Sequence, residues 1–286
     1  MTQELHPDVL HPSGTRPVGG HLRDPGRTRG ARRWIKERHP AFIAALLLMM
    51  GWEIGRYFGN DLMFPPLVEI GRTLIELVTD WSAMRHLVAT AIRVLAAVLM
   101  AFVVGLGIGL LMGRVGVVRK YAKPLLHFIQ GVPALSWVVF AVLWFQNPET
   151  RIAFILVAVT MPAFALYIDS AVRAVPREWI ELCQAFRGSD KAILRTVILP
   201  AITPEILSSW QVNLGNAVRA GVVAELIGAT LGVGFQLLRS QSLFNMAAAV
   251  SWTLLLVALL LVYQAVVTAV ERYLLAWRPT GERDRA

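Results

Sequence analysis

Long apolar runs alternate with short polar breaks along most of this chain. Six runs are predicted to be membrane-spanning helices, at about residues 41–58, 87–112, 125–145, 152–172, 206–227 and 248–270. A transmembrane helix needs about 20 mainly apolar residues, because nothing in the bilayer core can hydrogen-bond a backbone that is left outside helical structure. The pattern therefore predicts an all-α, polytopic membrane protein with six spans.

Composition supports this class and suggests how the chain is divided. Hydrophobic residues make up 56% of the chain, charged residues only 16%, and the mean hydropathy is +0.55. Residues 1–40 are rich in Pro, Gly and Arg, so they are predicted to be a disordered basic tail. The membrane domain is expected to span residues 41–277, followed by a short second tail at 278–286.

The distribution of basic residues predicts the orientation in the membrane. In a six-span topology, 21 of the 28 Lys and Arg residues fall on one side. By the positive-inside rule that side is the cytoplasm, so both termini are predicted to be cytoplasmic in a multi-pass membrane protein. The same distribution explains the net charge of +9 without a nucleic-acid partner.

The sequence motifs do not indicate catalysis. No G-x-x-x-x-G-K-[ST] phosphate loop and no G-x-S-x-G nucleophile motif occurs, and the six histidines lack metal-ligand spacing. We therefore predict no catalytic residue, no metal site and no cofactor on this chain. Any work that the chain performs must be powered by a partner or by a gradient.

Small residues recur every four positions in the second predicted span. Ala97 and Ala101 are followed by Gly105, Gly109 and Gly113. Such a ridge lets another helix approach closely, so these glycines are predicted to form a packing seam.

The fifth predicted span, ILSSWQVNLGNAVRAGVVAELIG, carries polar residues at membrane depth. A charged side chain there is costly unless it faces water or a bundle interior. One hypothesis is that a polar set lines a translocation pathway; its members are Asn213, Asn216, Arg219 and Glu225, together with Arg93 of the second span. The alternative is a packed polar network, or snorkelling to an interface.

Asp169, near the inner end of the fourth predicted span, raises the same question. It is expected to pair with Arg173, one helical turn further on.

A charged segment, ELCQAFRGSDKAILRTVILP, separates the fourth and fifth predicted spans. Pro176 suits the first turn of a helix, and apolar residues then follow at helical spacing: Trp179, Leu182, Cys183 and Phe186. Gly188 can end that helix, Ser189 or Asp190 can cap another, and apolar spacing continues to Pro200. We predict two short amphipathic helices, the second ending at Pro200.

This segment resembles the EAA loop of permease subunits in binding-protein-dependent ABC importers, E-A-A-x3-G-x9-I-x-L-P. Counting back from Leu199 and Pro200 places Arg187 at the glycine position and Glu181 at the glutamate position. Leu182 and Cys183 replace the two alanines, and the glycine comes one residue late. HLVATAIRVLAAVLMAFVVGLGIGLLMGR, GVPALSWVVFAVLWF and the run from Asn213 to Glu225 are similar to the nitrate, sulfonate and taurine importer class.

The resemblance implies a location in the bacterial inner membrane, a function and a set of partners. In that family the loop, here about 176–200, is a coupling helix that docks on a cytoplasmic ATPase carrying ATP and Mg. The residues so implied are Trp179, Glu181, Leu182, Phe186, Arg187, Gly188, Leu199 and Pro200. Two permeases, identical or different, pair around a central pathway fed by an external solute-binding protein, and the solute is expected to be a small anion such as nitrate, a sulfonate or taurine.

Two other classes of protein remain open from the residues alone. A membrane-embedded enzyme would need a cluster of catalytic side chains near one membrane face, and none is evident. A gradient-driven secondary transporter would usually be longer and show internal repeats.

Overall fold

The structure is a computed structural model that describes residues 43–44, 46–58 and 64–276. The predicted tails, 1–40 and 278–286, lie outside the described residues. The chain divides into two compact units, residues 1–54 and 55–286. In the first unit the described residues are helical, as the first predicted span requires, although residues 41, 42 and 45 of that span are not described.

The described part of the second unit is helical from Leu67 onward and contains no strand. Its helices are α1 (Leu67–Thr79), α2 (Trp81–Arg114), α3 (Gly116–Gly131), α4 (Ala134–Trp144), α5 (Pro148–Ala174), α6 (Arg177–Ala185), α7 (Asp190–Ile193), α8 (Leu199–Gly228), α9 (Val233–Ser242) and α10 (Met246–Leu274). A five-residue π-helical turn, Leu194–Ile198, joins α7 to α8. The all-α class is therefore confirmed.

Among the described residues, four helical segments are long and apolar enough to cross a membrane: Trp81–Arg114, Pro148–Ala174, Asp190–Gly228 and Met246–Leu274. They contain four of the predicted spans, each extended by several residues. A fifth crossing would come from α3 and α4 together. The count of six stays a prediction.

The third predicted span, 125–145, is not one straight helix. It is divided between α3 and α4, whose axes are bent by 93° at a short break. Val132 and Pro133 occupy the break in extended conformations. The residue before a proline is disfavoured in the α conformation, and proline cannot donate a backbone hydrogen bond, so the helix ends there and a new one begins.

The seam of small residues on α2 packs against α5. A Cβ added to Gly105 would lie 2.7 Å from Phe164 Cβ, and one added to Gly109 would lie 2.7 Å from Ile168 Cβ. At Gly113 it would lie 2.6 Å from Val172 Cγ1. These contacts leave no room for a side chain, so the glycines set the close approach of α2 and α5.

Candidate functional site

Helix α6 ends in a turn stabilised by its own backbone. Arg187 N–H donates to Gln184 O at 2.8 Å, and Gly188 N–H donates to Cys183 O at 2.9 Å. This pair of bonds is the Schellman motif, whose first residue beyond the cap adopts the left-handed conformation. Arg187 is that residue, with φ of 57°. The EAA motif has a glycine at the position of Arg187. The left-handed backbone of Arg187 is the conformation that favours glycine.

Gly188 is required for a different reason. A Cβ added there would lie 2.6 Å from Cys183 Sγ and 2.7 Å from Cys183 O. The glycine that comes one residue late thus lets the chain fold back onto the end of α6. Beyond it, Ser189 Oγ accepts from Ala192 N–H at 3.3 Å and caps α7.

The two faces of α6 have different surroundings. Ile180 and Cys183 pack against a buried cluster that includes Ile193 and Ile198. Trp179, Leu182 and Phe186 lie on the other side, with 53%, 61% and 82% of their surface exposed. Glu181 is also exposed. The loop therefore holds an apolar surface outward while its inner face is fixed to the bundle.

The prediction that the second loop helix ends at Pro200 is wrong. The helix continues from Asp190 through Leu199 and Pro200 to Gly228. A proline inside a helix removes one backbone hydrogen bond and crowds the carbonyl of the preceding turn. The wider π turn at Leu194–Ile198 accommodates both effects, so the loop and the polar span form one continuous helical segment.

A cavity of about 800 Å³ lies between α8, α9 and α10. Most of its lining is apolar, and the polar groups in it are Arg219, Gln211, Thr253 and Gln264. Arg219 Nε donates to Gly215 O and its Nη2 donates to Asn216 Oδ1, both at 3.1 Å. In the part of the chain that the structure describes, Arg219 forms no ion pair with a carboxylate. Its guanidinium is therefore held by two neutral oxygens of its own helix.

Asn213 does not share that cavity. Its side chain is fully buried, and its Nδ2 donates to Ser209 O at 3.0 Å. Its Oδ1 has no hydrogen-bond partner among the described residues. Of the predicted pathway residues, the structure joins Asn216 to Arg219 and encloses Asn213 within the bundle.

Arg93 and Glu225 form a buried ion pair. Arg93 Nη1 lies 2.9 Å from Glu225 Oε1, and Arg93 Nε donates to Glu149 Oε2 at 2.7 Å. Thr90 Oγ1 and Gly234 N–H also donate to the Glu225 carboxylate, at 2.8 and 3.0 Å to Oε2. We call Thr90, Arg93, Glu149, Glu225 and Gly234 the Glu225 network. None of its members lines the cavity that contains Arg219.

Thr90 and Glu225 of this network, together with His86, fix the turn between α8 and α9. Gly232 N–H donates to His86 Nδ1 at 3.1 Å, and Val233 N–H donates to Thr90 Oγ1 at 2.9 Å. Gly232 has φ of 134°, and a Cβ there would lie 2.5 Å from both carboxylate oxygens of Glu225. Only glycine fits this close approach. The contacts involve α2, α5, α8 and α9 at once, which supports the alternative of a packed polar network for Arg93 and Glu225.

The predicted pairing of Asp169 with Arg173 is also wrong. Asp169 is buried and accepts from Arg119 Nε at 3.0 Å, whereas Arg173 is exposed. The reason is tertiary: α3 packs beside α5 and presents Arg119 to the side of α5 on which Asp169 is enclosed. Sequence spacing could indicate only the partner on the same helix.

Several residues of these sites were missed from the sequence: His86, Thr90, Glu149, Gln211 and Gln264. Each is a single polar residue in or beside an apolar run. Glu149 is 56 positions from Arg93 and Glu225 is 132 positions from it, so no local spacing relates them. Gln211 gave a weak signal, because it belongs to the polar fifth span.

The geometry defines a membrane protein with an exposed apolar loop at one end and, beside the continuous helical segment Asp190–Gly228, a largely apolar cavity that Arg219 also lines. A model of the family described as binding-protein-dependent transport system inner membrane component matches residues 101–275. The match covers more than half of the 286 residues, and the chain belongs to this family.

Individual relatives are transport permeases. The taurine transport system permease protein TauC of Escherichia coli is 31% identical over 198 residues, which cover 67% of this chain and 72% of that protein. The putative aliphatic sulfonates transport permease protein SsuC of Bacillus subtilis is 28% identical over 261 residues, covering 90% and 92%. The bicarbonate transport system permease protein CmpB of Synechococcus elongatus is 25% identical over 149 residues, covering 52% and 54%.

A solved structure shares the fold. A chain of the MetNI methionine ABC transporter, in an inward-facing conformation, matches with a TM-score of 0.58 and 19% identity. The match covers 68% of this chain and 99% of the other. The helical bundle is therefore the fold of an ABC importer permease. Together with the family match, this makes the chain a transport subunit of an ABC importer for small solutes, and not an enzyme.

Proposed function

We propose that this permease carries a small anion of the nitrate, sulfonate or taurine class across the inner membrane by alternating access. The observation that carries this proposal is Arg219, which lines a cavity of about 800 Å³ and, among the described residues, is hydrogen-bonded only to the neutral oxygens of Gly215 and Asn216. A cation at membrane depth is costly unless water, an anion or a carboxylate meets it. The names of the relatives agree with such a solute, since taurine, sulfonates and bicarbonate all carry an anionic group.

The energy would come from a separate ATPase that binds ATP and Mg. The exposed face of Trp179, Leu182 and Phe186 supports docking there, because a protein interface usually has apolar and aromatic side chains at its centre. Since the loop continues into α8 as one helical segment, movement of the loop would reach the cavity beside Arg219 directly.

Three further features complete the proposal. A second permease subunit, identical or different, would close the pathway on the cavity side. An external solute-binding protein would deliver the solute to the end of the bundle opposite the loop. Both termini and residues 176–200 would be cytoplasmic, as the excess of basic residues on that side indicates.

The test compares Arg219→Lys with Arg219→Gln in vesicles that contain the ATPase and the loaded binding protein. If Arg219 contacts the anion, both variants should assemble and hydrolyse ATP. The Lys variant should retain part of the uptake because it keeps the charge, and the Gln variant should lose at least about tenfold, the effect of one lost charge-assisted hydrogen bond. Full uptake by the Gln variant would exclude the role, and failure of both variants to assemble would indicate a structural one.

A further inference from the structure

Helix α3 has three faces with different surroundings. The first faces the bundle: Val118, Ala122 and Leu126 pack against residues of α2 and α5, including Met112 and Ala165. Arg119 pairs with buried Asp169 at 3.0 Å and fixes the start of α3 beside the last turns of α5. This face is therefore fully used within the chain.

The second face is apolar and exposed. Val117, Tyr121, Leu125 and Phe128 follow one another at helical spacing, and each has more than half of its surface exposed, up to 71% for Phe128. A surface stripe of this kind on a membrane protein is expected to contact lipid chains. Tyr121 lies in the first two turns, and an aromatic ring with a polar tip is typical of the headgroup level.

The third face is basic. Lys120 is exposed and directly precedes Tyr121 of the stripe, whereas Lys123 is half-buried and lies between Lys120 and the bundle contacts of Leu126. Among residues 64–276, neither lysine forms an ion pair, whereas Arg119 pairs with Asp169 and Arg114 lies 3.8 Å from Asp190. The two lysines thus present positive charge that the described chain does not neutralise.

We propose that the first two turns of α3 bind the headgroup of an anionic phospholipid through Lys120 and Lys123, with Leu125 and Phe128 against its acyl chains. Basic side chains beside an exposed apolar stripe match a ligand that is anionic at one end and apolar at the other. A soluble protein partner would satisfy the charge but not the stripe. This inference goes beyond the proposed solute transport and does not depend on it.

The position of the site agrees with the charge of a membrane surface. Helix α3 begins two residues after α2 ends, at the end of the bundle where α5 ends and α6 follows. That end has the excess of basic residues, and the cytoplasmic leaflet contains the anionic lipids. A lipid held there would lie beside the Arg119–Asp169 pair, near the start of the exposed loop.

The test counts phosphatidylglycerol molecules retained by the purified full chain, using native mass spectrometry during titration with this lipid or with phosphatidylcholine. The variant is Lys120→Gln/Lys123→Gln. The control, Arg72→Gln/Arg85→Gln, removes the same charge from exposed residues at the opposite end of the bundle. A third variant, Lys120→Arg/Lys123→Arg, keeps the charge.

A basic residue near an anionic surface contributes enough to change binding about fivefold, so loss of both lysines should weaken phosphatidylglycerol binding about 30-fold. The control and the Arg variant should bind it as the natural chain does, and phosphatidylcholine binding should be weak in every case. Unchanged phosphatidylglycerol binding by the Gln variant would overturn the proposal. So would an equal loss of phosphatidylglycerol binding in the control variant.

Discussion

The helical segment Asp190–Gly228 has two ends that are built differently. Near Gly228, the carboxylate of Glu225 is 1% exposed and is met by Thr90, Arg93 and Gly234. Each of these contacts comes from another part of the same chain. The charge of Glu225 is therefore satisfied within the chain.

The end near Asp190 shows the opposite arrangement. Its turn is formed by backbone hydrogen bonds of Arg187 and Gly188, and the adjoining Phe186 is 82% exposed. The difference shows that a charge at one end of the segment is satisfied by contacts within the chain, whereas a large apolar side chain at the other end stays exposed. Arg219 lies between them, with its charge unpaired by any described carboxylate.

The largest effect is expected from Arg93→Ala, which leaves the buried Glu225 carboxylate without its ion-pair partner. Breaking a buried pair in this way costs about 3–5 kcal/mol. Glu149→Gln is the matched control, because Glu149 is 59% exposed and its pair should contribute under about 1 kcal/mol. The measurement is the free energy of unfolding in mixed micelles. If the two substitutions lower the free energy of unfolding equally, buried Glu225 and exposed Glu149 do not differ in their dependence on Arg93.

The next effect concerns the seam that holds α2, and with it Arg93, against α5. Gly109→Ala should destabilise the chain by about 1–3 kcal/mol, because the new Cβ would lie 2.7 Å from Ala165 O. Gly107→Ala adds the same atom to the same helix where nothing lies within 4 Å. Thermal unfolding in detergent compares the two. A Gly109 variant as stable as the Gly107 variant would show that the seam is not closely packed.

The smallest effect on stability is expected at the exposed loop. Phe186→Ser should change the free energy of unfolding by no more than about 0.5 kcal/mol, since the ring is on the surface. It should nevertheless weaken association with the ATPase, which a pull-down measures. Phe244→Ser is the control, because Phe244 is 76% exposed in a similar turn at the opposite end of the bundle. Equal association of both variants with the ATPase would exclude Phe186 from the interface.

The sequence was sufficient for features that depend on neighbouring residues. Apolar run length indicated the long helices, and the spacing from Pro176 to Gly188 indicated α6 and its end. The four-residue repeat of Gly105, Gly109 and Gly113 indicated the face of α2 that meets a neighbour, although not that the neighbour is α5. In each case the feature depends on residues that are close together in the sequence, because residues three or four positions apart lie on the same face of a helix.

Features that depend on tertiary packing were not predictable in this way. Asp169 pairs with Arg119 of another helix, and Arg93 pairs with Glu225 although 132 positions separate them. The energetic argument that a charge within a span needs a partner applied equally to Arg93 and Arg219. Only the fold distinguishes them, because it brings a carboxylate to Arg93 and a cavity to Arg219.

The most direct test of the pathway role asks whether position 219 is open to water. In a Cys183→Ser background, which removes the only native cysteine, Arg219→Cys and Ala217→Cys would each be reacted with a small anionic methanethiosulfonate reagent. Ala217 is fully buried on the same helix and serves as the reference. The account predicts rapid modification at 219 and little at 217. Modification at 219 as slow as at 217, or only by a lipid-soluble maleimide, would contradict a water-filled solute pathway beside Arg219.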